Sequence, residues 1–376
     1  MIGVLVNPVA GVGGTAGLSG SDGVDIQRLA EARGGRSRAH ERMAQALRVV
    51  ARKVPSARLV TVAGRMGEDA VREAALSPRV VFSPTYPTRA CDTVAAVRAF
   101  IDEGVDLVLF AGGDGTARDV ALSLPDGAAG LGVPSGVKMY SGVFGVSPQA
   151  AGATAAAWEG GHVPTAVRDV LDVDEETLRQ KVVAPTVYSV MRVPVIAGRT
   201  QARKGSVPTG ERDAVAAAAQ GAFARVSAER TTAIGPGSTM RELARLIGYD
   251  KGPLGVDIVR DGVPLVRDAS EADLLEVATG SPLSIVVSVI GGHGFVIGRG
   301  NQQISHRVLD AIPPTNLIVV ASEQKLLDLQ GRPLLIDSGD AATDDRLSGV
   351  VTVITGVRTT SRYRLRSATK GGARVA

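Results

Sequence analysis

A single cysteine, Cys91, in 376 residues means that no disulfide forms within the chain, which excludes a secreted scaffold held by cross-links. Aromatic residues make up only 3% of it, so platforms for stacking the bases of single-stranded nucleic acid are scarce. No apolar run approaches the roughly 20 residues of a membrane-spanning helix. The longest pieces lie around Val105 to Ala111 and Ser284 to Ile290. Four histidines without HxxxH or HExxH spacing offer no zinc ligand set. The amino terminus, Met1-Ile2-Gly3-Val4-Leu5-Val6, has neither a charged n-region nor a cleavage site. These absences together lead us to expect a cytoplasmic protein with no membrane and no nucleic-acid partner.

What is present suffices for a large core: 44% of the chain is hydrophobic, and its length predicts two domains. The net charge is +4, and basic residues gather near the carboxyl end in Arg358, Arg362, Arg364, Arg366, Lys370 and Arg374, which we read as a solvated basic tail.

Over residues 1–150, β-branched runs alternate with Ala- and Arg-rich stretches, the pattern of βαβ units on a parallel sheet. Strands are expected at Ile2 to Val6, Arg58 to Val62, Val80 to Ser83, Leu107 to Phe110 and Gly130 to Val133, with helices at Arg38 to Lys53, Gly67 to Leu76 and Ala90 to Glu103. The fold class is α/β, a doubly wound parallel sheet followed by a β-rich domain over 151–376, with a possible return of the C-terminal end to the first domain. Within the second half, strands are expected at Val187 to Ile196, Val256 to Val259, Ser284 to Ile290 and Val350 to Thr355, and an Ala-rich helical insertion near Arg212 to Glu229.

The strongest motif is Gly112-Gly113-Asp114-Gly115-Thr116 after the apolar strand Asp106 to Phe110. Glycines let backbone N–H groups approach a phosphate, and the helix that follows offers unpaired donors and a partial positive charge. Asp114 there either caps that helix or works beside bound phosphates, through a divalent cation or as a general base toward a hydroxyl. Lys138 follows the Gly132-to-Gly136 turn, where an ammonium would neutralise phosphate charge. In Gly235-Pro236-Gly237-Ser238-Thr239, Ser238 or Thr239 can cap a helix whose N-terminus faces an anion. Arg299 and Asn301 sit in a Gly-rich loop where Arg299 suits a phosphate or carboxylate. Asp172, in the acidic run Asp169 to Glu176, serves a ligand or belongs to the acidic first turn of a helix starting near Asp174.

The GGDGT loop resembles that of NAD kinases, diacylglycerol kinases and sphingosine kinases, a superfamily that includes the phosphofructokinases. Asn7-Pro8 with its Gly-rich loop, Gly112 to Asp119, Val133 to Lys138, Gly235 to Thr239 and Gly298 to Ser305 together resemble the ATP-NAD/AcoX kinase family, in order and over nearly the whole chain. The resemblance implies a phosphofructokinase-like first domain, a β-rich second domain and a site between them. It implies NAD and ATP as ligands, ATP or polyphosphate as donor with Mg2+ or another divalent cation, and a homo-oligomer. Asp114 is the implied catalytic residue. Asn7, Gly112, Gly113, Gly115, Thr116 and Lys138 are implied for the nucleotide and its phosphates. Gly237, Ser238, Thr239, Asp172, Arg299 and Asn301 are implied for the substrate, and no metal ligand is identified. The Asn-Glu pair that contacts ribose in NAD kinases is missing. A kinase acting on another small hydroxylated metabolite, or a silent nucleotide-binding protein, are the alternatives.

Overall fold

The computed structural model describes residues 1–18, 24–136, 139–161, 163–172, 186–196, 211–226, 231–290 and 294–370. Five parallel strands, β1 (Ile2–Val6), β2 (Leu59–Val62), β3 (Arg79–Phe82), β4 (Leu107–Gly112) and β5 (Ala129–Pro134), form one sheet in the order β3-β2-β1-β4-β5. Every residue of β1, β4 and β5 is buried, as continuous apolar runs covered on both faces should be. Helix Ala39–Lys53 lays Ala39, Met43, Ala46, Leu47 and Val50 on this core at helical spacing.

Helix Pro148–Glu159 also packs here, through Ala151, Ala155 and Ala156, so the expected boundary at residue 150 falls inside it. The hairpin of β6 (Thr165–Asp172) and β7 (Thr186–Pro194) adds Val170, Met191 and Val193 to the same core. Asp169 and Asp172 therefore lie in a strand rather than in the first turn of a helix; residues 173–185 fall outside the described residues.

The second sheet is mixed and has nine strands, in the order β10-β9-β8-β11-β13-β15-β16-β14-β12. They are β8 (Thr231–Ile234), β9 (Asp257–Arg260), β10 (Val263–Val266), β11 (Leu283–Ser288), β12 (Phe295–Ile297), β13 (Leu317–Val320), β14 (Leu334–Ile336), β15 (Gly349–Ile354) and β16 (Thr360–Ser367). The Ala-rich stretch is no separate insertion. Helix Glu211–Phe223 buries Ala218, Ala219 and Ala222 in a cluster with Met240, Leu243, Val286 and Ile354.

The basic tail needs the same correction. Residues 360–367 pair with β15 and β14, because Leu365 and Ser367 alternate with the exposed arginines and have a core to enter. The last described turn, Ala368–Lys370, returns to helix Pro148–Glu159. Among the described residues no helix is long and apolar enough to cross a membrane.

Candidate active site

In the first sheet the chain leaves β1 toward β2 and leaves β4 toward β5, so the connections diverge between two adjacent strands and open a crevice at their carboxyl ends. Asn7 follows β1 at this point, and Gly113-Asp114 follows β4. Asn7 N–H continues the β4 ladder to the Ala111 carbonyl at 3.0 Å, and its Nδ2 donates to Thr116 Oγ1 at 2.9 Å. Two candidates from distant parts of the sequence thus form one hydrogen-bonded wall.

After Asn7 a four-residue helical turn, Val12–Thr15, forms within the Gly-rich loop. Gly11 initiates it at φ 77° against the Ser135 carbonyl, a position and a conformation that exclude a side chain. Ser135 and Gly136 both donate their N–H groups to the Gly112 carbonyl at 3.0 Å.

Helix Asp114–Ala121 starts at Asp114, with Gly113 extended at the cap. The Asp114 carboxylate, only 4% exposed, crosses to the next loop. There it accepts from Tyr140 N–H at 2.5 Å and from Ser141 N–H at 3.0 Å. Burial, with the Asp114 charge beside it, pushes the Tyr140 phenol up to about 12, so this ring stays neutral at physiological pH. Ser141 Oγ in turn accepts from Leu171 N–H at 2.9 Å, which brings the end of β6, and with it the backbone of Asp172, to the same loop. The Asp172 side chain lies outside what is described, and so does Lys138.

The two site glycines differ. A Cβ on Gly112 would overlap Thr116, whereas a Cβ on Gly115 would have nothing within 4 Å among the described residues. None of these residues requires a glycine at 115.

The second domain brings Gly298–Asn301 against this region. Gln302 Nε2 donates to the Gly136 carbonyl at 2.8 Å, and Arg299 Nη2 to the Val146 carbonyl at 2.8 Å. The Arg299 guanidinium lies 4.6 Å from the centre of the Phe295 ring, and Nη1 reaches Met139 Sδ at 3.3 Å. Burial lowers its pKa to about 9, and the like charge of Arg42 acts in the same direction. Arg299 Nε has no hydrogen-bond partner among the described residues. Asn301 uses its amide within its own loop, accepting from Gly298 N–H at 2.8 Å and donating to the Val296 carbonyl at 2.9 Å. Pro236 approaches Gly300, so the Gly235–Thr239 loop borders the same edge. Its cap is Gly237, at φ 108°, rather than Ser238 or Thr239; Ser238 is exposed, and buried Thr239 Oγ1 has no partner among the described residues.

Sequence reasoning missed the ion pair between the domains. Arg42 donates to Asp337 at 2.7 and 3.2 Å, with both side chains 5% exposed. Burial opposes the Asp337 charge, but Arg42 outweighs it and holds the carboxyl below the usual range. The signal was available: Arg42 interrupts an otherwise apolar stripe of its helix. Among the described residues no group of three or more His, Cys, Asp or Glu is arranged to hold a metal ion.

Comparison with known families matches residues 2–163 to the ATP-NAD kinase N-terminal domain and residues 227–365 to the ATP-NAD kinase C-terminal domain. No curated protein and no solved structure matches the chain.

Proposed function

The chain belongs to the ATP-NAD kinase family, and on that premise we propose that it transfers the terminal phosphoryl group of ATP, or of inorganic polyphosphate, to the 2′-hydroxyl of NAD, giving NADP. The observation that carries this reading is the placement of Asp114. It is a buried carboxylate fixed by two backbone N–H groups, directly after a glycine turn, at the sheet's diverging strands.

In the reaction the hydroxyl oxygen bonds to the terminal phosphorus while the bridging P–O bond to the leaving ADP, or to the shortened polyphosphate, breaks. The hydroxyl proton passes to an Asp114 carboxylate oxygen. Gly112, Gly113, Gly115 and Thr116, with Lys138, serve the phosphates. Gly237, Ser238 and Thr239, together with Asp172, Arg299 and Asn301, are assigned to the acceptor side. Magnesium would come with the donor's phosphates, as an ion that needs few protein ligands, and would supply charge neutralisation there. A cytoplasmic homo-oligomer belongs to the same reading.

The test supplies magnesium and NAD with either donor and measures NADP enzymatically. We expect NADP from wild type, and a kcat at least about 100-fold lower in Asp114→Asn. Since an amide has one acceptor oxygen, that variant also loses one of the two loop contacts, and its melting temperature is compared alongside. Donor consumption only with a different alcohol, or binding without turnover, overturns the proposal.

A further inference from the structure

Strand β16 reads Thr-Ser-Arg-Tyr-Arg-Leu-Arg-Ser, and its alternation separates two faces. Leu365 enters the core of the second sheet with Leu334 and Ile336, and Tyr363, packed on the same side, donates its hydroxyl to the Leu326 carbonyl at 3.3 Å. Arg362, Arg364 and Arg366 are exposed on the opposite face. Among the described residues none of the three has an ion-pair or hydrogen-bond partner for its side chain. Strands β14, β15 and β16 carry no Asp or Glu. The cross-strand neighbours are Leu335, Val350 and Thr352, and Val350 is 62% exposed.

This face leads to the junction of the domains. Arg366 is opposite Leu335, and Leu335 is opposite Phe295, whose ring carries the Arg299 guanidinium. The parallel strands β16, β14 and β12 end side by side at Ser367, Ile336 and Ile297, immediately before the loops that hold Asp337 and Arg299.

We propose that Arg362, Arg364 and Arg366 form a docking track for inorganic polyphosphate, which runs along the outer face of β16 toward the cleft. The proposal rests on the kinase reading for the use of such a donor, while the binding itself is independent of turnover. Guanidiniums repeating about every 6.7 Å along a strand form a line one residue wide, and each can take a phosphate by two parallel hydrogen bonds. A linear, flexible polyanion matches that shape. The only ring on the strand, Tyr363, faces the other way, so bases have no stacking platform, which disfavours single-stranded nucleic acid.

The experiment measures binding of fluorescently labelled long-chain polyphosphate to the full chain over a range of salt concentrations. The triple variant Arg362→Gln/Arg364→Gln/Arg366→Gln should raise Kd at least about tenfold and reduce the slope of log K against log salt by about 2, from three lost phosphate contacts. The matching triple lysine variant should keep most of the slope, which separates lost charge from lost fold, and ATP-driven turnover should stay unchanged in both. Asp114→Asn should still bind polyphosphate, so failure of the kinase reading registers in turnover and failure of the track in binding. An unchanged Kd and slope in the glutamine variant overturns the track. Equal or tighter binding of a charge-matched single-stranded oligonucleotide, or of anionic vesicles, at these arginines also overturns it.

Discussion

Replacing Asp337 by Ala should be among the most destabilising single changes in the molecule, because of what it leaves behind. Arg42 and Asp337 are each 5% exposed and joined at 2.7 and 3.2 Å, and Arg299, 6% exposed, lies close enough for its charge to be felt by both. Without the carboxylate, two buried guanidiniums share a site with no counter-charge from residue 337. Removing one partner of a buried pair costs about 3–5 kcal/mol, since the remaining charge loses its compensation while staying out of water. For domains of this size that corresponds to a melting temperature lower by about 6–20 °C.

Urea and thermal unfolding of Asp337→Ala, Arg42→Met and the double variant Arg42→Met/Asp337→Leu form a cycle. The double variant should cost less than the sum of the singles, because it leaves no orphaned charge. The pH dependence follows the direction of the Asp337 shift. A carboxyl held below its unfolded value contributes stability that is complete above about pH 4 and is lost as the pH falls through the lowered folded value. The wild type should therefore lose stability in acid more steeply than Asp337→Ala. A single-variant cost under about 1 kcal/mol, or strict additivity in the cycle, would refute the reasoning.

The two site glycines give a paired prediction. Gly112→Ala forces its new methyl into the buried Thr116 side chain and should cost about 1–3 kcal/mol in urea unfolding. Gly115→Ala meets none of the described residues and should leave stability unchanged or slightly improved while weakening nucleotide binding in calorimetry; retained affinity would show that no ligand approaches there. Asp344 is a different case. Burial raises its carboxyl to about 6, and its Oδ2 has no hydrogen-bond partner among the described residues. Its ionisation then opposes folding above that pH, a penalty that grows from about pH 4 to 6 and is constant beyond. Asp344→Asn should stabilise the protein by about 1–2 kcal/mol at pH 8, after discounting for screening, and by almost nothing at pH 4. Equal gains at both pH values would show that ionisation is not the cause.

The first sheet was legible because its strands are buried on both faces and announce themselves locally: Ile2–Val6 was expected to the residue, and Leu107–Gly112 to within its last two. The same physics explains the failures. β6 carries Arg168, Asp169 and Asp172 because it belongs to a two-stranded surface hairpin, so its charges masked its alternation. β16 pairs on one side with its hairpin neighbour, residues 349–354, and on the other with the more distant residues 334–336, and three arginines hid a strand in what looked like a tail. Glycine spacing singles out Gly112 to Thr116 as a candidate, but it does not reveal these two partners of Asp114. They are the backbone N–H groups of Tyr140 and Ser141, and side-chain identity says nothing about where an amide points.

The paired grip of Ser135 and Gly136 on the Gly112 carbonyl has a consequence of the same kind. Two amides on one oxygen fix the plane of the peptide that leads into the Gly113-Asp114 turn, so the turn's dipoles are set by the fold itself. Every residue but proline can supply such an amide. Substitutions at 135 and 136 can therefore reshape the neighbouring wall while the glycine turn beside them keeps its form. A proline at either position would remove one of the two donors and loosen the turn through the backbone alone.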